Sequence, residues 1–236
     1  MHATPPRFDL WLVAHLAMLT GRSRTFDLLV RQGVESGLLG GLWYAAALFV
    51  FWIQSGQPDQ REVRRRTLTI ALGSLVAALL TVLAARAVSW APPSAHPVLA
   101  VLYPEDFPVN LIANSFPSRS TALYASVAAG IYSLRRTRGI WAWIGVGVVV
   151  ALPRVYLGGH HLTDVLAGLV AGLGGYWVAI LLETTMVSRC ETAFEYPWDH
   201  WQRTLAECVI FLWIEEVAME FHLVVWITDA LASLWG

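Results

Sequence analysis

Arg154, His160 and Asp164 are the residues whose types and spacing could do chemistry in this chain. They lie in Pro153-Arg154-Val155-Tyr156-Leu157-Gly158-Gly159-His160-His161-Leu162-Thr163-Asp164, with Arg154 six positions before His160 and Asp164 four after it. An imidazole and a carboxylate at this spacing can meet on one turn of a helix. The carboxylate can then reach one ring nitrogen and fix the tautomer, which leaves the other nitrogen to attack or to take a proton. Arg154 supplies a planar fork of donors that suits phosphate oxygens. Singly, such a His is ordinarily interfacial and such an Arg a snorkelling anchor. Together, where one apolar run ends and the next begins, they are much harder to dismiss.

The elements that must position these residues are membrane helices. The 236 residues are 56% hydrophobic and only 14% charged, less charge than a soluble domain carries. All basic residues are Arg, and the net charge of −1 argues against a nucleic-acid partner. Cys190 and Cys208 have no metal-ligand spacing, and a disulfide framework is not expected. Met1 to Pro6 lacks the charged start of a cleavable signal peptide. The expected fold is all-α: a polytopic membrane helix bundle of five to six spans with amphipathic helices at both ends.

Residues 1–37 are expected to form N-terminal interfacial helices. The run 8–20 is broken by Asp9 and His15, and 25–36 is amphipathic. Residues 38–183 form the core, with spans near 38–54, 67–90, 118–134, 140–155 and 163–183. Gly168, Gly172, Gly174 and Gly175 permit close helix packing in the last of these. The loops 55–66 and 135–139 carry seven Arg between them, whereas 91–117 and 156–162 carry none. The positive-inside rule then places the first pair in the cytoplasm and the second outside. Arg86, Ser118, Arg154, His160 and Asp164 all fall at the external face, a result reached without using the site residues. In a bacterium this is the inner membrane, with the site facing the periplasm.

Residues 184–236 change character. Glu207, Glu215, Glu216 and Glu220 interrupt an apolar stretch, and carboxylates at mid-membrane are costly. The readings are an amphipathic surface helix, a helix that packs a homodimer, or a sixth span near 221–235. The 12 Trp read as interfacial anchors, and Glu105 and Asp106 as a solvated loop pair. Asn110 and Asn114 are placed to steady the segment before Ser118.

The stretch from Pro153 to His160 with Asp164 resembles the third signature of the type 2 phosphatidic acid phosphatase superfamily. Ser115-Phe116-Pro117-Ser118-Arg119-Ser120-Thr121 resembles its second. The resemblance covers about residues 38–183. It implies a membrane lipid phosphatase, working without metal or other cofactor, whose substrate is a lipid phosphate or diphosphate of the phosphatidic acid or undecaprenyl diphosphate type. His160 would form a phosphohistidine, and Asp164 would orient it and stabilise its charge. Arg154, Ser118, Arg119 and Arg86 would bind phosphate, helped by N–H groups at the helix opening. Three positions depart from the family pattern. Ser120 stands where the family has the His that protonates the leaving oxygen. No Arg occurs in Pro92-Pro93-Ser94-Ala95-His96-Pro97, where the first signature has one. Arg119 occupies a place that is often small or polar. General acid catalysis contributes about 10²–10⁴-fold. Its loss implies either a preference for diphosphates, whose leaving group needs no acid, or a pseudoenzyme that binds a lipid phosphate head group. A third reading is an inactivated variant with Ser120 in place of the acid His. His96 and His161 are the other histidines within reach of a proton-donor role.

Overall fold

In a computed structural model, residues 6–35, 41–53, 60–103, 114–183, 208–209 and 212–213 are described. They form helices and no strand: α1 Arg7–Ala17, α2 Arg24–Glu35, α3 Gly41–Ile53, α4 Gln60–Ala87, α5 Arg119–Leu134, α6 Arg136–Gly145, α7 Leu152–Tyr156 and α8 Leu162–Leu182. A π-helical stretch, Val146–Ala151, joins α6 to α7. Short 3₁₀ turns at Pro93–Ala95 and Ala100–Leu102 punctuate the connection after α4. Three helical stretches among the described residues are long and apolar enough to cross a membrane: Arg65–Ala87, Arg136–Tyr156 and Leu162–Leu182. At 1.5 Å per residue, each matches the roughly 30 Å hydrocarbon layer. The expectations for residues 184–207 and 214–236, and for Glu105, Asp106 and Asn110, lie outside the described residues.

Two helix boundaries differ from the sequence expectation, and charge pairing accounts for the first of them. The basic stretch before the second span is helical from Gln60 onward, and residues 136–138 open α6 rather than form a loop. Charged residues propagate a helix when they pair one turn apart. Glu62 does this, taking bonds from Arg65 and from Arg66 Nε, the latter at 2.7 Å. Glu183, buried at the end of α8, joins the cluster through Arg65 Nε at 2.9 Å and Arg66 Nη1 at 3.5 Å.

The core is α4, α5 and α8, and small residues let their backbones approach. A Cβ at Gly172 would come within 2.3 Å of the Ala122 carbonyl, and one at Gly168 within 2.5 Å of the Ser118 carbonyl. Gly175 lies against Gly73 and Ala77 of α4 in the same way, whereas Gly174 faces open space apart from Leu80 at 3.9 Å. Three of the four glycines therefore carry the packing expected of them. The buried hydroxyls of α4 are satisfied within the helix. Thr67, Thr69, Ser74 and Thr81 donate to carbonyls three or four residues earlier at 2.7–3.0 Å. Tyr44 of α3 stacks on Tyr124 and donates its hydroxyl to the Ala142 carbonyl at 2.6 Å, tying α3 and α6 to this core. Trp213 packs against the same cluster.

Candidate active site

The loop between α7 and α8 carries His160, and local rules fix its path. Gly158 adopts φ +69°, a left-handed conformation suited to glycine. Gly158 N–H donates to Val155 O at 3.1 Å and Gly159 N–H to Arg154 O at 3.0 Å. This pair of bonds is the Schellman arrangement that ends a helix. The same Arg154 carbonyl accepts from His160 N–H at 3.3 Å, so the six-residue spacing from Arg154 to His160 becomes a direct backbone link. On the far side, His161 is the N-cap of α8, and its N–H donates to Asp164 Oδ2 at 2.7 Å. A carboxylate at the third helical position reaching back in this way holds the helix start.

Upstream, Pro153 has no N–H to continue the helical ladder. The π-helical stretch Val146–Ala151 precedes it, the kind of local widening that absorbs such a break. One arm of the Arg154 guanidinium, Nη1, donates to Val150 O at 3.0 Å. Arg154 is 9% exposed, so its fork is held inside the protein and not on the lipid surface.

The segment before α5 completes the site. Ser118 N–H donates to Asp164 O at 3.0 Å, joining the start of α5 to the start of α8. Ser118 is the N-cap of α5, and its Oγ lies 2.9 Å from Thr121 Oγ1. Asn114 holds the approach. Its amide donates to Ala85 O and Val88 O at 3.0 and 3.1 Å, and its Oδ1 accepts from Phe116 N–H at 3.0 Å. The Phe116–Pro117 peptide is cis.

His160 Nδ1 lies 2.8 Å from the Ser115 carbonyl. A carbonyl can only accept, so Nδ1 carries the proton and the neutral ring keeps its lone pair on Nε2. Asp164 Oδ2 is 3.8 Å from Nδ1, an ion-pair distance rather than a hydrogen bond. The sequence expectation that Asp164 fixes the tautomer is thus corrected: the Ser115 main chain does so, and the carboxylate supplies nearby negative charge. Asp164 has no exposed surface. Besides His161 N–H, it accepts from Trp90 Nε1 at 2.6 Å. Trp90 in turn lies edge-on to Phe116, with ring centroids 5.0 Å apart.

The remaining expected residues take distinct places. Ser120 is buried in the first turn of α5. Arg119 precedes it, and its buried Nε has no hydrogen-bond partner among the described residues. An orphaned cationic donor beside a helix opening is suited to an anion's oxygen. Arg86 lies in the last turn of α4 with its side chain exposed, and no hydrogen bond or ion pair joins it to another described residue. The structure therefore gathers Ser118, Arg154, His160 and Asp164 but leaves Arg86 without a contact to them. His161 is fully buried, with the Ala91 main chain beside its ring. Burial pulls its pKa below the ordinary value, against the opposing pull of Asp164 and Asp9. His96 accepts from Val98 N–H through Nδ1 at 3.3 Å.

The PAP2 superfamily model matches residues 66–187, more than half of the chain and the stretch that holds Ser118, Arg154, His160 and Asp164. The chain belongs to the PAP2 superfamily. Members of this superfamily are generally phosphatases. The chain is also 36% identical over 62 residues to the bacitracin transport permease protein BcrC of Bacillus licheniformis, a match covering 26% of this chain and 30% of that relative. No solved structure matches.

Trp90 and Ser115 are the site residues that sequence reasoning does not find. A Trp at the end of a span reads as an interfacial anchor, and a main-chain carbonyl has no mark in a sequence.

Proposed function

We propose that this PAP2 protein is an integral membrane phosphatase of a lipid phosphate or diphosphate, with His160 as nucleophile. The observation that carries this reading is the His160 ring, whose Nδ1 is committed to the Ser115 carbonyl at 2.8 Å, leaving the lone pair on Nε2. Nε2 forms a bond to phosphorus as the bond from phosphorus to the lipid oxygen breaks. The ring becomes cationic, and Asp164 at 3.8 Å offsets that charge. Water then attacks the phosphorus, the N–P bond breaks, and phosphate leaves. Arg154, Ser118 and the opening of α5 hold the phosphate oxygens, and Arg119 Nε gains a partner from them.

Ser120 supports a preference among substrates. A hydroxyl is no general acid near neutral pH, so the leaving group must depart unaided. A lipid monophosphate leaves from a diphosphate far more readily than an alkoxide leaves from a monoester. The reading is therefore a polyprenyl diphosphate such as undecaprenyl diphosphate. In the membrane we place α3 and α5 as further spans, for a total of five or, with the C-terminal region, six. The Arg-rich ends of α4 and α6 face the cytoplasm of a bacterial inner membrane and the site faces outward. A second reading rests on the same Ser120: a pseudoenzyme that holds a lipid phosphate head group without turning it over.

Phosphate release by detergent-solubilised protein decides between them, with polyprenyl diphosphate, its monophosphate and phosphatidic acid as substrates. His160→Ala must abolish release. Ser120→His should accelerate monoester hydrolysis by about 10²–10⁴-fold. Faster hydrolysis of the monoester than of the diphosphate by the parent would overturn the substrate preference. Release absent from the parent but present in Ser120→His would select the binding protein.

A further inference from the structure

Two carboxylates at the N-terminal end of the chain are buried, and both reach the loop that carries His160. Asp9 of α1 has no exposed surface, and Asp27 of α2 is 6% exposed. Carboxylates so placed are retained only when hydrogen bonds compensate them. Asp9 Oδ1 accepts from Thr163 N–H at 3.2 Å, and its Oδ2 accepts from the Thr163 hydroxyl. Thr163 is the second residue of α8, one of the N–H groups that a helix cannot satisfy from within. Asp9 therefore caps α8 from another helix, at the end where a negative charge is favoured. Asp27 Oδ1 accepts from the Tyr156 hydroxyl at 2.5 Å, and its Oδ2 accepts from Gly21 N–H at 2.9 Å, closing the turn between α1 and α2.

The placement of the two contacts gives them meaning. Tyr156 is two residues after Arg154, and Thr163 is one before Asp164. The two ends of the His160 loop are thus gripped separately by one hairpin. Apolar packing seats that hairpin: Val13 joins Leu99, Ala151, Val155 and Val165 in one cluster, and Phe26 meets the Tyr156 ring edge-on at 5.8 Å. None of α1 or α2 lies within the residues matched to the family, which begin at 66.

We propose that the α1–α2 hairpin is a clamp that positions the His160 loop, with Asp9 and Asp27 as its positioning residues. Asp9 fixes the first turn of α8, and with it Asp164 against His160. Asp27 fixes the end of α7, and with it Arg154. The activity consequences rest on the phosphatase reading; the clamp itself does not.

The test uses the full chain in detergent, with Asp9→Ala, Asp9→Asn, Thr163→Val and Tyr156→Phe. Amide exchange is followed over residues 154–166, and kcat and KM are measured on polyprenyl diphosphate. In Asp9→Ala, exchange at 163–165 should quicken and kcat should fall by about tenfold or more per folded molecule, because small displacements of reacting groups are expensive. KM should stay within about twofold, since the lipid contacts are untouched. Asp9→Asn keeps an acceptor for Thr163 N–H and should recover most of the protection and part of kcat. It also serves should the alanine variant not fold. Tyr156→Phe should loosen 154–160 and lower kcat in the same manner. Unchanged exchange in both Asp9→Ala and Tyr156→Phe overturns the clamp. Faster exchange with full kcat overturns its positioning role. A parent without turnover refutes the phosphatase reading, and the exchange data still decide the clamp.

Discussion

Trp90→Phe separates the contribution of one hydrogen bond from the rest of the site. Asp164 is fully buried, and its two oxygens are held by Trp90 Nε1–H at 2.6 Å and His161 N–H at 2.7 Å. Phenylalanine keeps an aromatic ring against Phe116 but removes the indole donor, leaving Oδ1 without a partner. Hydrogen bonds to charged groups contribute about 1.5–3 kcal/mol. Each 1.4 kcal/mol is about tenfold. If the bond serves to hold Asp164 beside His160, its loss falls on the proposed phosphohistidine step, and kcat drops by about 10- to 100-fold. If it serves only the folded state, the loss falls on thermal stability instead. Single-turnover phosphate release and a melting curve on the same preparation separate the two. Phe116→Leu is the control: it removes the ring contact, worth about 0.5–1.5 kcal/mol, and spares the N–H. It should lower the melting temperature and leave kcat per folded molecule unchanged. A Trp90→Phe protein that keeps kcat within about twofold of the parent refutes the reasoning.

Gly158→Ala should destabilise the protein by about 2 kcal/mol or more, because φ +69° alone costs roughly 1–2 kcal/mol in an L-residue and the new Cβ would sit 2.5 Å from the Tyr103 ring; thermal melting measures it, and adding Tyr103→Leu should restore only the steric part. The pKa of His161 is lower in the folded protein than its ordinary 6.5, so the unfolded chain binds more protons between those two values. Stability is then complete above about pH 6.5 and declines as the pH falls below it; melting temperatures at acid and neutral pH should differ less in His161→Gln than in the parent. Gly172→Leu should prevent α8 from seating on α5, since its Cβ would meet Ala122 O at 2.3 Å, whereas Gly174→Leu, with only Leu80 at 3.9 Å, should be tolerated; yield of folded protein from detergent extracts compares the two.

What is legible in the sequence is what local rules determine. Gly158 and Gly159 stop one helix, Asp164 starts the next, and both devices act within a few residues. The spacing of Arg154, His160 and Asp164 therefore already contains the geometry of the loop. The helix-packing glycines at 168, 172 and 175 are legible for a related reason, because a membrane helix offers few uses for a missing side chain. Contacts between distant segments are different. Asn114 and Ser115 lie far along the chain from His160, and nothing in their identity tells which carbonyl will accept the imidazole proton. Asp9 falls between the two cases. A carboxylate in an otherwise apolar helix is an anomaly visible in the sequence, but its partner, Thr163, becomes apparent only when α1 lies against α8.

That distinction changes how the site divides its work. With Nδ1 held by Ser115, tautomer selection does not depend on any charged side chain, and a main-chain carbonyl cannot be lost by substitution. In the proposed reaction Asp164 is left to answer the charge that appears on the ring, and at 3.8 Å its attraction is about 4 kcal/mol at an effective dielectric constant of 20. An effect of that size is useful only if the distance is kept. The tight restraints on Asp164 follow from this: Trp90 on one oxygen, His161 on the other, Ser118 on its carbonyl and Asp9 on the adjoining Thr163. The departure at Ser120 removes a proton donor, yet this set of restraints is complete. A pocket kept only to recognise a phosphate would need Arg154 and the helix opening but not a carboxylate fixed beside an imidazole, and that supports the proposed turnover over binding alone.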